Sequence, residues 1–172
     1  MAALDEYKKF VSSAPQGQRE YRTIELYHPD FSQVERFVSD FKDINLTLES
    51  TAPRNPSTSV LFTAIAMKLN EAGENGQIEQ VLTVNLGAVG NEINDRLDQI
   101  TESGSLVPIE LIYRKFYSGD LSEPVVVLSL SVADVSFKSY TSVTFTGEDV
   151  DFATKRAGEL YTIERFPGLK NL

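Results

Sequence analysis

The chain has 172 residues, a length that forms one domain of ordinary size with a core that needs no covalent staples. Its lack of cysteine excludes disulfides, thiolate nucleophiles and Cys-based zinc or iron–sulfur centres. A formal net charge of −9, with no basic cluster beyond Lys8-Lys9 and Lys155-Arg156, argues against a nucleic-acid partner, which requires a basic face.

In chain order, "LDEYKKFVSS" (residues 4–13) places Leu4, Tyr7, Phe10 and Val11 at helical spacing. "APQGQ" then breaks the pattern, so the first twenty residues read as a short helix or an arm that reaches a partner. From Tyr21 the pattern alternates as in strands. "YRTIELYH" ends at Pro29-Asp30, and "VERFV" and "INLTLES" follow. "SVLFTAIAMKL" is long and mostly apolar, which predicts a central strand covered on both faces. Asn75-Gly76 supplies the positive φ of a tight turn, so residues 58–87 read as a hairpin returning through "IEQVLTVNL".

"VGNEINDRLDQITESG" switches to helical spacing, with Ile93, Leu97 and Ile100 on one face. Asn91 is the expected cap, and Gly104 suits the left-handed position that ends a helix. Three further strands are expected: "VPIELIYRKFY", "PVVVLSLSVADV" and "VSFKSYTSVTFT", with a bulge near Ser139 to bring Val135 and Phe137 into phase with Tyr140. In the second of these, Val126, Leu128, Leu130 and Val132 share one face. "GEDVDFATKRAGE" reads as polar loop or partial helix.

These elements predict a mainly-β (α+β) fold, a β-sandwich or distorted barrel of roughly seven to nine strands with one inserted amphipathic helix and a short N-terminal helix. The expected boundaries are an arm over 1–20, a single β domain over 21–158 with its helix at about 90–103, and an apolar tail over 159–172. The longest apolar run, Val125–Val132, is too short to span a bilayer, and no signal-peptide layout opens the chain. A soluble protein with no membrane insertion is expected.

Candidate chemistry is sparse. His28, the sole histidine, precedes Pro29 at a strand end and reads as a side chain that hydrogen-bonds the turn. Glu148, Asp149 and Asp151 lack the spacing of a calcium loop. "GAVGNE" (Gly87–Glu92) joins strand to helix without the Gly-Lys-Ser/Thr of a phosphate loop. No catalytic, metal or cofactor-binding residue is therefore expected, and the chain does not read as an enzyme.

The C-terminal "LYTIERFPGLKNL" stands out, since a free terminus is usually polar. Tyr161, Ile163, Phe166, Pro167, Gly168 and Leu169 are the expected partner contacts. The tail turns at Pro167-Gly168 and presents Phe166 and Leu169 either to its own domain or to the next subunit.

"IELYHPDF" (Ile24–Phe31) and "YTIERFPGL" (Tyr161–Leu169) resemble a family of tail-tip or minor tail proteins, distal-tail or hub-like, of long-tailed bacteriophages. Members look like single domains of similar length, with a strand ending in His-Pro early and Phe-Pro-Gly-Leu near the C-terminus. Where the family often has a further aromatic after Gly-Leu, this chain has Lys170. The resemblance implies a structural component of the tail tip or baseplate, located in the virion and made in the host cytoplasm. Its implied partners are copies of itself in a three- or six-fold ring and other tail-tip, tail-tube or tape-measure proteins. No catalytic residues come with it. The alternative is a host-surface module that binds glycan or protein, and a carboxylate-based hydrolase ranks third.

Overall fold

The computed structural model describes residues 8, 12–13, 17–71, 82–87, 90–139 and 142–149. It is mainly β. The strands are β1 (Glu20–Tyr27), β2 (Glu35–Val38), β3 (Ile44–Thr47), β4 (Ser59–Ala64), β5 (Met67–Glu71), β6 (Leu82–Gly87), β7 (Glu110–Tyr117), β8 (Val126–Ser139) and β9 (Ser142–Asp149). One helix, α1 (Gly90–Ser103), lies between β6 and β7. Lys8, Ser12 and Ser13 of the N-terminal arm are helical. Among the described residues, no helix is long and apolar enough to cross a membrane.

The nine strands form one sheet in the order β3-β4-β2-β1-β7-β8-β9-β6-β5. All pairings are antiparallel except β2 with β4, where Phe37 and Val38 oppose Thr63 and Ala64 in parallel. β4 lies near one edge and β5 forms the other, yet only Ile65 and Ala66 separate them in the chain. The Ile65 N–H donates to Val38 C=O at 3.0 Å, which extends the β2 contact past the end of β4. The chain thus passes directly from a strand next to one edge of the sheet to the strand at the other edge, a connection consistent with a β-sandwich or distorted barrel.

This corrects the reading of "SVLFTAIAMKL" as one central strand covered on both faces. The segment bends at Ile65-Ala66, and its first half alternates, with Phe62 fully buried and Leu61 55% exposed. A second correction concerns the strands after β7. β8 runs on through Val135 to Ser139, and β9 starts only at Ser142 and continues to Asp149, through residues read as loop. A long β8 tolerates its phase changes through two irregularities, between Val132 and Asp134 and between Phe137 and Ser139; the second is the bulge expected near Ser139. Asn75-Gly76 and Tyr140 lie outside the described residues, although β5 and β6 do pair as the predicted hairpin requires.

Two cores follow from the alternation of β1 and β7. Ile24 and Leu26 on β1, with Leu111 and Tyr113 on β7, point to one face and join Phe37, Ile65, Leu130, Val143 and Phe145. The apolar stripe of α1 seals this cluster, with Ile93 buried and Leu97 and Ile100 packed against it. The helix starts at Gly90, one residue ahead of the expected cap Asn91, and ends at Gly104, whose φ of +67° suits glycine. Arg96 ties it to the start of β2, with Nε 2.6 Å from Glu35 Oε1. On the opposite face, Tyr21 and Phe116 pack with Val38 beneath Leu46, Leu48 and Phe62 from the β3–β4 hairpin. That hairpin forms a second layer over the outside of the barrel wall.

Phe62 is the central contact of this second layer, with its ring 6.5 Å from that of Phe116 in an edge-on arrangement. Phe62→Ala is expected to destabilise by about 3–5 kcal/mol in urea titrations. A loss below about 1 kcal/mol would show that the hairpin layer adds little to the fold.

Candidate functional site

Two buried polar sites and two surface grooves emerge among the described residues. The first is the His28 corner. His28 is fully buried at the end of β1, where Asp30 N–H donates to Nδ1 at 3.1 Å. The ring proton therefore sits on Nε2, which donates to Val107 C=O at 3.0 Å. As expected from the sequence, His28 fixes the turn; it also ties that turn to the segment entering β7.

The second site is an ion cluster between the barrel wall and the loop that joins β3 to β4. Glu25 of β1, wholly buried, accepts from Arg36 Nε and Arg54 Nε at 2.9 Å each and from Arg114 Nη1 at 3.4 Å. Arg114, equally buried, meets both oxygens of Glu49 through Nε, at 3.1 and 2.9 Å, and adds Nη2 to Oε1 at 3.0 Å. Arg54 Nη1 reaches Glu110 at 2.7 Å, and its guanidinium lies 4.1 Å above the Tyr27 ring centroid. Three arginines thus face three glutamates.

Burial works against the charge on Arg54, but its hydrogen bonds to Glu110 and Glu25 outweigh this and raise its pKa. Arg54 Nη2 alone is buried without a hydrogen-bond partner among the described side-chain atoms, and the Tyr27 ring face partly compensates. The loop above is held in left-handed backbone at Asn55 (φ 52°) and Ser57 (φ 53°), and Asn55 Oδ1 accepts from Arg36 Nη2 at 2.8 Å. Such conformations persist where the surroundings fix them. Nothing in the sequence pattern singled out this cluster, because Glu25 and Arg114 occupy the alternate positions that a two-sided strand normally gives to solvent.

The third site is a groove of about 610 Å³ at the seam between the end of β2 and the Ile65-Ala66 bend. β2 ends at Val38 and the chain swings out through Ser39, Asp40 and Phe41, while the bent strand carries Ile65, Ala66 and Met67 along the floor. Phe41 on the rim is 100% exposed. Arg19 closes one end. Its Nε donates to the Tyr21 hydroxyl at 3.1 Å, and it bridges Asp40 at 3.0 Å; the Tyr21 bond first, with Asp40 adding, raises its pKa. A smaller groove, about 270 Å³, lies beside Glu49 and is lined by Thr47, Ser50, Ser57, Ser122 and Glu123.

Other expectations fall as follows. Asp149 ends β9, while Asp151 lies outside the described residues, as do Tyr161, Ile163, Phe166, Pro167, Gly168 and Leu169 of the tail. Tyr113 and Tyr117 lie in β7, as read. Gly87 ends β6 and Gly90 opens α1. No group of three or more His, Cys, Asp or Glu side chains that could hold a metal is found among the described residues.

Residues 6–160 match the family model described as "Domain of unknown function (DUF1833)", so the chain belongs to that family. No curated protein matches the chain.

Removing one partner from the ion cluster leaves buried charge uncompensated. Glu25→Gln is therefore expected to cost about 3–5 kcal/mol of stability. Replacing Arg114 and Glu49 together by Met and Leu should cost less than Arg114→Met alone, since that pair then leaves no orphan charge of its own. Chemical denaturation of the three variants checks both; a Glu25→Gln midpoint equal to wild type would overturn the organising role given to Glu25.

Proposed function

We propose that the chain is a structural subunit of a bacteriophage tail tip or baseplate, assembling as a ring with copies of itself and with other tail proteins. The observation that carries this reading is the open seam. The turn after β2 leaves Phe41 fully in water beside a groove floored by Ile65, Ala66 and Met67. An exposed aromatic beside an apolar concavity is how a docking surface looks before its partner arrives.

The early motif of the phage-tail resemblance also has a physical basis: "YHPDF" is the corner held by buried His28, with Phe31 packed on the main core. On this reading the protein acts in the virion after synthesis in the host cytoplasm. Its partners are its own copies and tail-tip, tail-tube or tape-measure proteins, with no cofactor in its role. The tail residues Tyr161, Ile163, Phe166 and Leu169 supply a second contact, turning at Pro167-Gly168 toward the next subunit. Burying Phe166 and Leu169 there contributes on the order of 3–6 kcal/mol before ordering costs.

The second reading, a host-surface binding module, would use the smaller hydroxyl-lined groove, whose serines and threonine suit a polyhydroxylated ligand. A hydrolase would need free acids converging there, but both oxygens of Glu49 are engaged by Arg114.

The direct test is mass spectrometry and imaging of purified virions. The chain should copurify with tails in a fixed multiple, and phage lacking its gene should yield particles with incomplete tails. Complete, infectious particles without it would sink the reading. Deleting residues 166–172 should preserve the β-rich circular dichroism and the melting temperature while tails fail to complete. A sharp fall in melting temperature would instead assign the tail to its own domain.

A further inference from the structure

We infer that the seam groove is the receptor for the N-terminal arm of a second copy of this chain. The inference rests on the self-assembly part of the proposed function and names what fills the groove.

The geometry begins at Arg19. The N–H of Arg19 donates to Ser118 Oγ at 2.9 Å, and Ser118 N–H donates back to Arg19 C=O at 2.9 Å. Gln18 accepts from the Tyr117 hydroxyl. Gly17 then takes a φ of +85°, a conformation that suits glycine at a turn. Gly17, where residues 1–16 join the described chain, is thus two residues from Arg19, which lines the groove.

The arm matches the groove chemically. Leu4, Tyr7 and Val11 fall at i, i+3 and i+7, with Phe10 beside them, the anchor spacing of a helix laid in an apolar groove. Lys8, between the apolar positions, and Ser12 and Ser13, just after them, are helical and exposed. The groove offers an apolar floor at Ile65, Ala66 and Met67 and an aromatic wall at Phe41, and its volume is typical of binding clefts. Lys68, exposed at its edge, is opposite in charge to Asp5 and Glu6.

The occupant is a neighbour's arm because in one chain the receptor stands open. Phe41 is fully exposed and Ala66 is exposed. Arm into groove is a heterologous contact, the kind that closes rings.

The absence of native cysteine makes a clean test. Full-length Phe10→Cys and Ala66→Cys chains are mixed under mild oxidation and run on non-reducing gels. A mixed covalent dimer is expected, while Phe10→Cys with Leu106→Cys, an exposed site elsewhere, gives none. The double variant Phe10→Cys/Ala66→Cys should give a ladder of covalent oligomers. An internally bridged monomer in its place would overturn the exchange, as would no bridging at all. Light scattering supplies a second readout: Phe41→Ser and Phe10→Ser should each weaken self-association by about tenfold or more, with unchanged melting temperatures. Unchanged self-association in both overturns the inference. A chain present in virions that never forms the Phe10–Ala66 bridge loses only this inference, whereas a chain absent from virions loses the proposed function as well.

Discussion

The bend at Ile65-Ala66 is the constraint from which the rest of the molecule follows. An open sheet of nine strands has two edges with unpaired backbone groups, each a template for uncontrolled pairing. Here one piece of chain pairs with β3 and β2 at one end of the sheet and, two residues later, with β6 at the other. Two partners that diverge cannot both be followed by a straight strand. Ile65 keeps its N–H on Val38 while its side chain enters the main core, and beyond it the strand parts from β2. The seam groove lies at that parting and is therefore a by-product of the bend.

Closure also explains why charge is buried in the barrel wall. The outward face of β1 and β7 would normally meet water, and it carries Glu25 and Arg114 accordingly. The β3–β4 hairpin and its loop fold over that face, so the charges lose solvent and must find partners within the protein. Glu49 and Arg54 come from the covering loop, and Arg36 comes from β2. Buried pairs of this kind add little net stability, but each wrong placement leaves an orphan charge, so they tie the loop to one position. The left-handed Asn55 and Ser57 are held by the same ties. An apolar layer would bind the hairpin as firmly but with less control over its register.

Much of this fold was legible in the sequence because strand alternation and helix spacing are local. β1, β2, β3 and β7 fall where their patterns place them. The helix was found from Ile93, Leu97 and Ile100 alone, and Gly104 marks its end through a backbone preference that belongs to glycine itself. The misreadings are long-range. Leu61 and Ala66 look like core residues in an apolar run, and only pairing with strands on opposite sides of the sheet puts them in water. Glu25 and Arg114 look like solvent-facing residues, and only the overlying loop buries them. Residues 135–139 appeared to start a new strand because the irregularities in β8 reset its phase. The groove was illegible for the same reason: Phe41, Arg19 and Met67 are separated in sequence and meet only through closure. The arm that we assign to it was legible, since its apolar spacing is a local property.

Distance limits what such an arm can do. Docked as a helix, residues 4–13 would span about 15 Å, and residues 14–16 ahead of the Gly17 turn add at most about 10 Å when extended. The reach is then about 25 Å. A compact domain of 172 residues is roughly 40 Å across. One arm can therefore bridge to the adjoining subunit but not past it. In the ring proposed above, contacts limited to nearest neighbours would leave its order to the angle between successive subunits, three-fold or six-fold alike. Each arm is individually weak because it must be ordered on binding, yet around a closed ring no arm can leave without its neighbour still being held by the others. In the proposed assembly, the groove beside the Ile65-Ala66 bend would become the means of closing the ring.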